Sequence, residues 1–286
     1  GRDKFIQENY ESVRAIPYDM PIVGYGNHVV NTLRIWDAKA ITSFRLDSFD
    51  RGEYHKAVEQ ENLAKTIVEV LYPNDNFEEG KILRLKQEYF FSSASLTDIL
   101  KKHIERYGSL ENLADMVTIQ LNDTHPVISI PELIRQLVDN HGMDFDKAFD
   151  ITQKVFNYTN HTIMQEALEK WSCNLVERIL PRVYNFILMI NERFIKDMYS
   201  LGKDKKLITE MAPIGDGMVR MANMAVYASS YTNGVAAIHT EILKAETLKD
   251  WYEIYPERFQ NKTNGITQRR WLALCNSELS DLITRL

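Results

Sequence analysis

Hydrophobic positions along the chain change their spacing several times, and each change predicts an element. Ser12 to Ala40 is rich in β-branched and aromatic residues, as in Asn31-Thr32-Leu33-Arg34-Ile35-Trp36, and reads as extended. Pro17, Pro21, Gly24 and Gly26 punctuate it as a turn. Between Glu53 and Leu71 the period becomes helical: Ala57, Val58, Ala64, Ile67, Val68 and Leu71 share one face, and Pro73 stops the run. Pro73 to Gly80 is a polar loop. Leu83 to Phe91 fits a strand or a short helix equally well. Ser95 followed by Asp98 resembles a capping box, which predicts that a helix starts there and carries Leu96, Ile99, Leu100 and Ile104.

Met116 to Leu121 is a short β-branched run, followed by the polar Asn122-Asp123-Thr124-His125-Pro126 and a helix opening near Pro131. This is the strand–loop–helix unit of a mostly parallel sheet. A second unit is expected at Val155 to His161, with a helix over Met164 to Lys170. Helices are also expected over Asn174 to Tyr199, with Pro181 at an early turn or break, and over Asp216 to Tyr231 and Ala236 to Lys244. A turn-rich loop, Asn261-Lys262-Thr263-Asn264-Gly265, precedes Arg269-Arg270-Trp271-Leu272. The fold class is therefore α/β with an excess of helices. The length prior for 286 residues is about two domains. No linker divides the chain, so it reads as one domain or most of one.

Composition narrows the function classes. Lys and Arg number 34 against 40 Asp and Glu, a net charge of −6, which is not the basic footprint of a nucleic-acid or anionic-membrane binder. No apolar run reaches the roughly 18 residues of a membrane span. The two cysteines, Cys173 and Cys275, are far apart, which excludes a disulfide framework or zinc cluster and favours a reducing compartment. The start, Gly1-Arg2-Asp3-Lys4-Phe5, has no signal pattern and no initiator Met, so an excised segment is expected.

Ligands of open α/β sheets bind beyond the carboxyl ends of the strands. Asn122 to Pro126 occupies such a place and offers amide, carboxylate, hydroxyl and imidazole to a polyol. From spacing alone, the favoured reading is that Asp123 and Thr124 cap the next helix. Tyr72-Pro73-Asn74-Asp75-Asn76-Phe77 is a second polar loop, whose plainer reading is an Asx-rich turn. His161 and His239 sit beside apolar residues and read first as buried or supporting histidines. Arg269-Arg270 reads as a phosphate site or, more simply, a salt-bridged face. A glycosidase would need a positioned carboxylate pair, for which Asp123 and Glu78 or Glu79 are available.

Five ordered blocks carry a resemblance. They are Tyr72 to Lys81, Leu83 to Phe90, Leu121 to Pro126, Tyr158 to Thr162 and Asn261 to Thr267. Together they resemble the glycogen (α-glucan, maltodextrin) phosphorylase family over nearly the whole chain, from about Tyr18 onward. The resemblance implies phosphorolysis of terminal α-1,4-linked glucose to glucose 1-phosphate, with retention. It implies a glycosyltransferase fold of two Rossmann-like domains (GT-B type). Residues 1–286 would be the later part of the N-terminal domain, incomplete, without the C-terminal cofactor domain. Pyridoxal phosphate would serve the full-length enzyme, with its Schiff-base lysine outside this chain. Glycogen or maltodextrin and inorganic phosphate would be the substrates, the enzyme would be cytoplasmic, and helix 53–71 would project toward the partner of a homodimer. Residue by residue, His239 matches the histidine that contacts the glucosyl unit. Asn76 matches a loop asparagine on the same sugar, and Asp75 belongs to the mobile gate over the site. Asp123 and His125 match a polar pocket beside the anomeric carbon.

Two departures stand out. Gln268 replaces a proline common in the family. Lys101 to Ser109 lacks the paired arginines some members use for nucleotide, so regulation by AMP is not expected. The alternative functions are a stand-alone glucan-binding or regulatory module and, more weakly, a glycosidase.

Overall fold

The computed structural model describes residues 6–42 and 44–286; the start of the chain, where a missing signal pattern was noted, lies outside them. Strands β1 (Val13–Val23) and β2 (Val30–Ala40) pair antiparallel. Their turn lies at Gly24 to Val29, where the Gly24 N–H donates to the Val29 carbonyl at 2.9 Å and Gly26 takes φ 63°. Pro17 and Pro21 are therefore inside β1, opposite Trp36 and Thr32, and not in the turn. A two-stranded ribbon leaves the outer edge of each strand unpaired, where a missing N–H removes no bond. A short helix α1 (Leu46–Asp50) leads into α2 (Tyr54–Glu69), which buries Ala57, Ala64 and Ile67 and packs on β2.

The largest departure from the sequence reading is α3 (Glu78–Tyr107), 30 residues of uninterrupted helix. It absorbs the ambiguous Leu83 to Phe91 stretch and the supposed capping box. Ser95 and Asp98 hold the hairpin instead: Trp36 Nε1 donates to Ser95 Oγ at 3.0 Å, and Arg34 reaches Asp98 at 2.5 Å and Asp19 at 2.7 Å. Periodicity was ambiguous because the buried face of α3 carries Gln87, Glu88, Ser92 and His103 among its leucines. The helix ends as glycine chemistry dictates, with Gly108 left-handed and its N–H on the Ile104 carbonyl at 2.8 Å.

After α4 (Leu113–Met116) come β3 (Ile119–Asn122), α5 (Ser129–Arg135), α6 (Phe145–Val155) and β4 (Phe156–Thr159). Pro131 lies in the first turn of α5, as its missing N–H allows. The expected helix over Met164 to Lys170 is only a 3-10 turn at Gln165–Ala167, before β5 (Lys170–Ser172). Helices α7 (Cys173–Ile179) and α8 (Pro181–Ser200) are separated at Pro181, and α9 (Lys205–Met211) follows.

Asp216 to Tyr231 is not one helix. Asp216 and Gly217, both at positive φ, turn β6 (Ile214–Gly215) into β7 (Met218–Arg220), and only α10 (Met221–Tyr227) is helical. Asp-Gly with both residues left-handed is the favoured two-residue hairpin turn, and it overrode the apolar spacing. β8 (Thr232–Gly234), α11 (Ala237–Ile242), α12 (Lys249–Ile254), β9 (Phe259–Asn261) and α13 (Ser277–Arg285) complete the chain.

The sheet that positions the chemistry has strand order β3-β4-β8-β9, every neighbour parallel. Parallel strands need crossovers, and the helices between them cover the sheet: α6 and α10 pack on β4, while α5 packs on α8 and α3. One continuous core results, from Leu85 through Phe156, Ile187 and Tyr227 to Phe259. The fold is helix-rich α/β, as expected. The apolar stripe of α2 is engaged with the chain's own hairpin.

Candidate active site at the carboxyl edge of the sheet

Four parallel strands end on the same edge, and each delivers polar groups there. β3 ends in Asn122, whose Oδ1 lies 2.5 Å from His161 Nε2 just beyond β4. On the strands themselves, Gln120 Nε2 donates to Thr159 Oγ1 at 2.8 Å, and Thr159 Oγ1 donates to Asn233 Oδ1 at 2.9 Å. At the end of β9, Asn261 Oδ1 accepts from Thr240 Oγ1 of the helix over Ala237–Ile242 at 2.7 Å.

His239 stands at the start of α11 and is buried. Its Nδ1 accepts the Val235 N–H at 3.0 Å. That bond requires a bare Nδ1, so the proton of the neutral ring sits on Nε2. Nε2 is buried and lacks a partner within the chain. Burial pushes the imidazole pKa down, and nearby His161 pushes it the same way, so the ring is neutral at physiological pH. The result is a fixed, neutral N–H donor at the end of a strand. Gly234 makes the seat: a Cβ there would lie 2.4 Å from Thr240 Oγ1 and 3.0 Å from His239 Nδ1.

Asp123 adopts a left-handed backbone, φ 68°, and its Oδ1 accepts the Thr124 N–H at 2.7 Å. It does not cap the following helix, whose N-cap residue is Ile128 without a side-chain bond. The favoured capping reading thus gives way: the side chain is spent on its own turn. His125, two residues on, packs edge-on against Tyr72, ring centroids 5.3 Å apart. Tyr72 is also left-handed, φ 56°. Non-glycine residues in this region are uncommon, and each of the two polar loops that touch through Tyr72 and His125 carries one.

Through that contact the loop of Asp75 and Asn76 lies beside the end of β3. Asp75 is ion-paired to Arg84 at 2.9 Å. Asn76 has an exposed side chain, and its backbone N–H is held by Asn74 Oδ1 at 3.0 Å. Gly80 lets the loop fold onto α3, since a Cβ there would be 1.9 Å from the Asn74 carbonyl oxygen. Leu71, Tyr72, Arg84, Glu88, Phe91 and His125 help to wall a cavity of about 180 Å³ between this loop and α3.

Asp123, His125 and His239 thus lie along one sheet edge, with Asp75 tied to its border by Arg84 and Asn76 next to it. Sequence reasoning missed the direct role of His161 as partner of Asn122. It also missed Arg84, which holds Asp75, and Glu88 and Glu169, which share that arginine. The four-residue spacing of Arg84 and Glu88 was visible, but only a helical assignment of Leu83 to Phe91 would have joined them. Glu78, a candidate for the glycosidase pair, is ion-paired with Arg178 at 2.5 Å at the start of α3.

Among the described residues no group of His, Cys, Asp and Glu is arranged to hold a metal. Every described lysine is at least partly exposed, so these residues do not fit the dry lysine that an imine with pyridoxal phosphate requires. Cys173 and Cys275 are free thiols. No described helix is long and apolar enough to cross a membrane.

The chain matches the model of the carbohydrate phosphorylase family over residues 1–286. It is 50% identical over 283 residues to the brain form of glycogen phosphorylase from Mus musculus and from Homo sapiens, and 50% identical to the muscle form from Mus musculus. Each alignment covers 95% of this chain and 34% of the relative, so the chain spans about a third of the length of these relatives. With hydrogen-bonding groups at the carboxyl edge of a parallel sheet and the family model matched over residues 1–286, this chain belongs to the carbohydrate phosphorylase family.

Proposed function

We propose that this chain supplies one wall of the saccharide site of a glycogen or α-glucan phosphorylase, which transfers a terminal α-1,4-linked glucosyl unit to inorganic phosphate. The observation that carries the reading is the buried Nε2–H of His239, a neutral donor without a partner in the chain, in a ring close enough to His161 to feel its charge, on the edge that also holds Asn122 and Asp123. A buried donor left unpaired costs about 1–3 kcal/mol, and a sugar hydroxyl or ring oxygen would relieve that cost.

In this reading His239 Nε2–H donates to the glucosyl unit, and Asn76 contributes an amide from the loop above it. Asp123 and His125 line the pocket beside the anomeric carbon. Asp123 places negative charge where positive charge develops on the sugar in the transition state, so its attraction grows as the bond breaks. Asp75 sets the position of the loop that closes over the sugar and excludes water. Pyridoxal phosphate, which the resemblance implies for the longer protein, would serve proton transfer to phosphate. None of the residues above holds it.

The longer protein is proposed to be a cytoplasmic homodimer that binds neither nucleic acid nor membrane. Tyr18, Met20, Ile22, Leu33 and Ile35 leave apolar side chains exposed on the hairpin that α2 supports, and a second copy would cover them. Sedimentation of hairpin variants checks that arrangement.

The decisive experiment is His239→Ala in the longer protein. The expected outcome is a kcat lowered more than KM is raised, because the contact strengthens as charge develops; an unchanged kcat refutes the role. The 286-residue chain alone is expected to release no glucose 1-phosphate from maltodextrin and phosphate. Calorimetry of that chain with maltoheptaose separates a wall of a shared site, which binds weakly, from a self-sufficient glucan-binding module, which binds well.

A further inference from the structure

Beside the sheet edge lies a second cluster that the proposed chemistry does not use. Arg84 on α3 reaches three carboxylates. Its Nη1 is 2.9 Å from Asp75 Oδ2, its Nη2 is 2.6 Å from Glu169 Oε1, and its Nε is 3.4 Å from Glu88 Oε1. The side chains of Glu88 and Glu169 are 7% and 8% exposed, while that of Asp75 is 45% exposed. Both Glu88 oxygens, Glu169 Oε2 and Arg84 Nε are buried without a hydrogen-bond partner. Trp171 closes the far side, with the guanidinium 5.5 Å from its ring.

One cation cannot balance three carboxylates in a dry site. A single proton between Glu88 and Glu169 eases both problems, since it lets one orphaned oxygen donate to another and leaves two charges, not three, for Arg84 to face. Without that proton, the three carboxylates compete for one guanidinium. The weakest competitor is Asp75, because water can replace its bond.

We propose that Arg84, Glu88 and Glu169 form a proton-dependent clamp on the 70–77 loop: while the two glutamates share a proton, Arg84 holds Asp75, and when that proton leaves, the loop is released. Arg84 is then a positioning residue, acting through Asp75 on the loop that carries Asn76. The clamp itself needs no saccharide; only its consequence for sugar binding rests on the function proposed above.

Most charges on the neighbouring elements are paired elsewhere, while Tyr158 of β4 lies near enough to Glu169 to feel its charge. From α5, Glu132 and Arg135 bond each other and Ser93, further along α3. From α7, Arg178 pairs with Glu78. From α2, Lys65 pairs with Glu69, and the adjoining Val70 carbonyl takes the Gln87 amide. From the β3 loop, His125 lines the same cavity as Glu88. Burial first, and then Glu169, raise the Glu88 carboxyl well above the ordinary glutamate range, with Arg84 opposing. Proton loss therefore falls on the alkaline side of that range.

Amide hydrogen exchange on the 286-residue chain tests the clamp, with protection read after correction for base catalysis and α8 as internal reference. As pH rises through the folded Glu88 value, protection of the Asn76 amide, which is bonded to Asn74 Oδ1, is expected to fall about two- to fivefold relative to α8, on the order of the loss of one partly exposed ion pair. Glu88→Gln cannot lose the proton, so its loop is expected to stay protected across the range. Arg84→Lys removes the fork and is expected to leave the loop unprotected throughout. A wild-type profile flat relative to α8 overturns the proposal without any variant. So does a Glu88→Gln profile that follows the wild type.

Discussion

The two polar clusters meet on the Asn122–Pro126 segment and are built on opposite principles. At the sheet edge, side chains are fixed by backbone: His239 by the Val235 N–H, Asp123 by the Thr124 N–H, Asn160 Oδ1 by the Thr162 N–H. Around Arg84, charged side chains are fixed by one another, and several of their atoms have no partner. Backbone anchoring fixes these side chains without a second charged group. Charge anchoring gives a cluster whose geometry depends on one proton. A site that must present donors and also move a loop has use for both.

The comparison can be broken or sharpened by substitution. The largest effect is expected at the edge, where packing leaves no room. Gly234→Ala drives a methyl to within 2.9 Å of Thr240 Cα and should cost about 2–3 kcal/mol of stability in urea unfolding. A loss below about 0.5 kcal/mol would show that the seat of His239 is soft. Next comes the clamp. Because the folded state raises the Glu88 pKa, its contribution is present at acid pH and lost as pH rises through the folded value. Glu88→Gln removes that loss and should raise stability by about 1–2 kcal/mol at a pH above that folded value, with little gain at a pH below it. Equal effects at both pH values would mean that Glu88 is not the titrating group.

His239→Ala should cost a smaller amount, about 1 kcal/mol, through the lost Val235 bond. Its lowered pKa has the opposite sign. The stabilisation it brings is present above the ordinary imidazole value and is lost as pH falls through the folded one. Acid unfolding followed with and without the substitution checks this: the variant should lose part of the decline below about pH 6. Asn76→Ala is the smallest for the fold, within about 0.5 kcal/mol because the side chain is exposed, yet it should weaken saccharide binding in the longer protein. A variant that binds as well as the parent removes Asn76 from the proposed site.

Much of this was legible in the chain. β-Branched runs followed by polar loops located β3 and β4, since the strand–loop–helix unit places hydrogen-bonding residues at strand ends whatever surrounds it. Pro181 broke the long helical stretch where expected. The failures share a cause. Ser95 and Asp98 have the spacing of a cap but spend their groups on Trp36 and Arg34, about 60 residues away in the chain. Glu88 blurred the helical period by being polar and buried, which only a distant cation makes tolerable.

The sequence by itself determined the fold class, the polar composition of the loops and the family. Each follows from local pattern or from contiguous blocks that survive without knowledge of contacts. Tertiary structure alone decided which ring nitrogen of His239 carries its proton, that His161 joins Asn122, and that Arg84 stands between Asp75 and two buried glutamates. Protonation and charge pairing depend on desolvation and on partners brought close by folding, and no spacing along the chain encodes them.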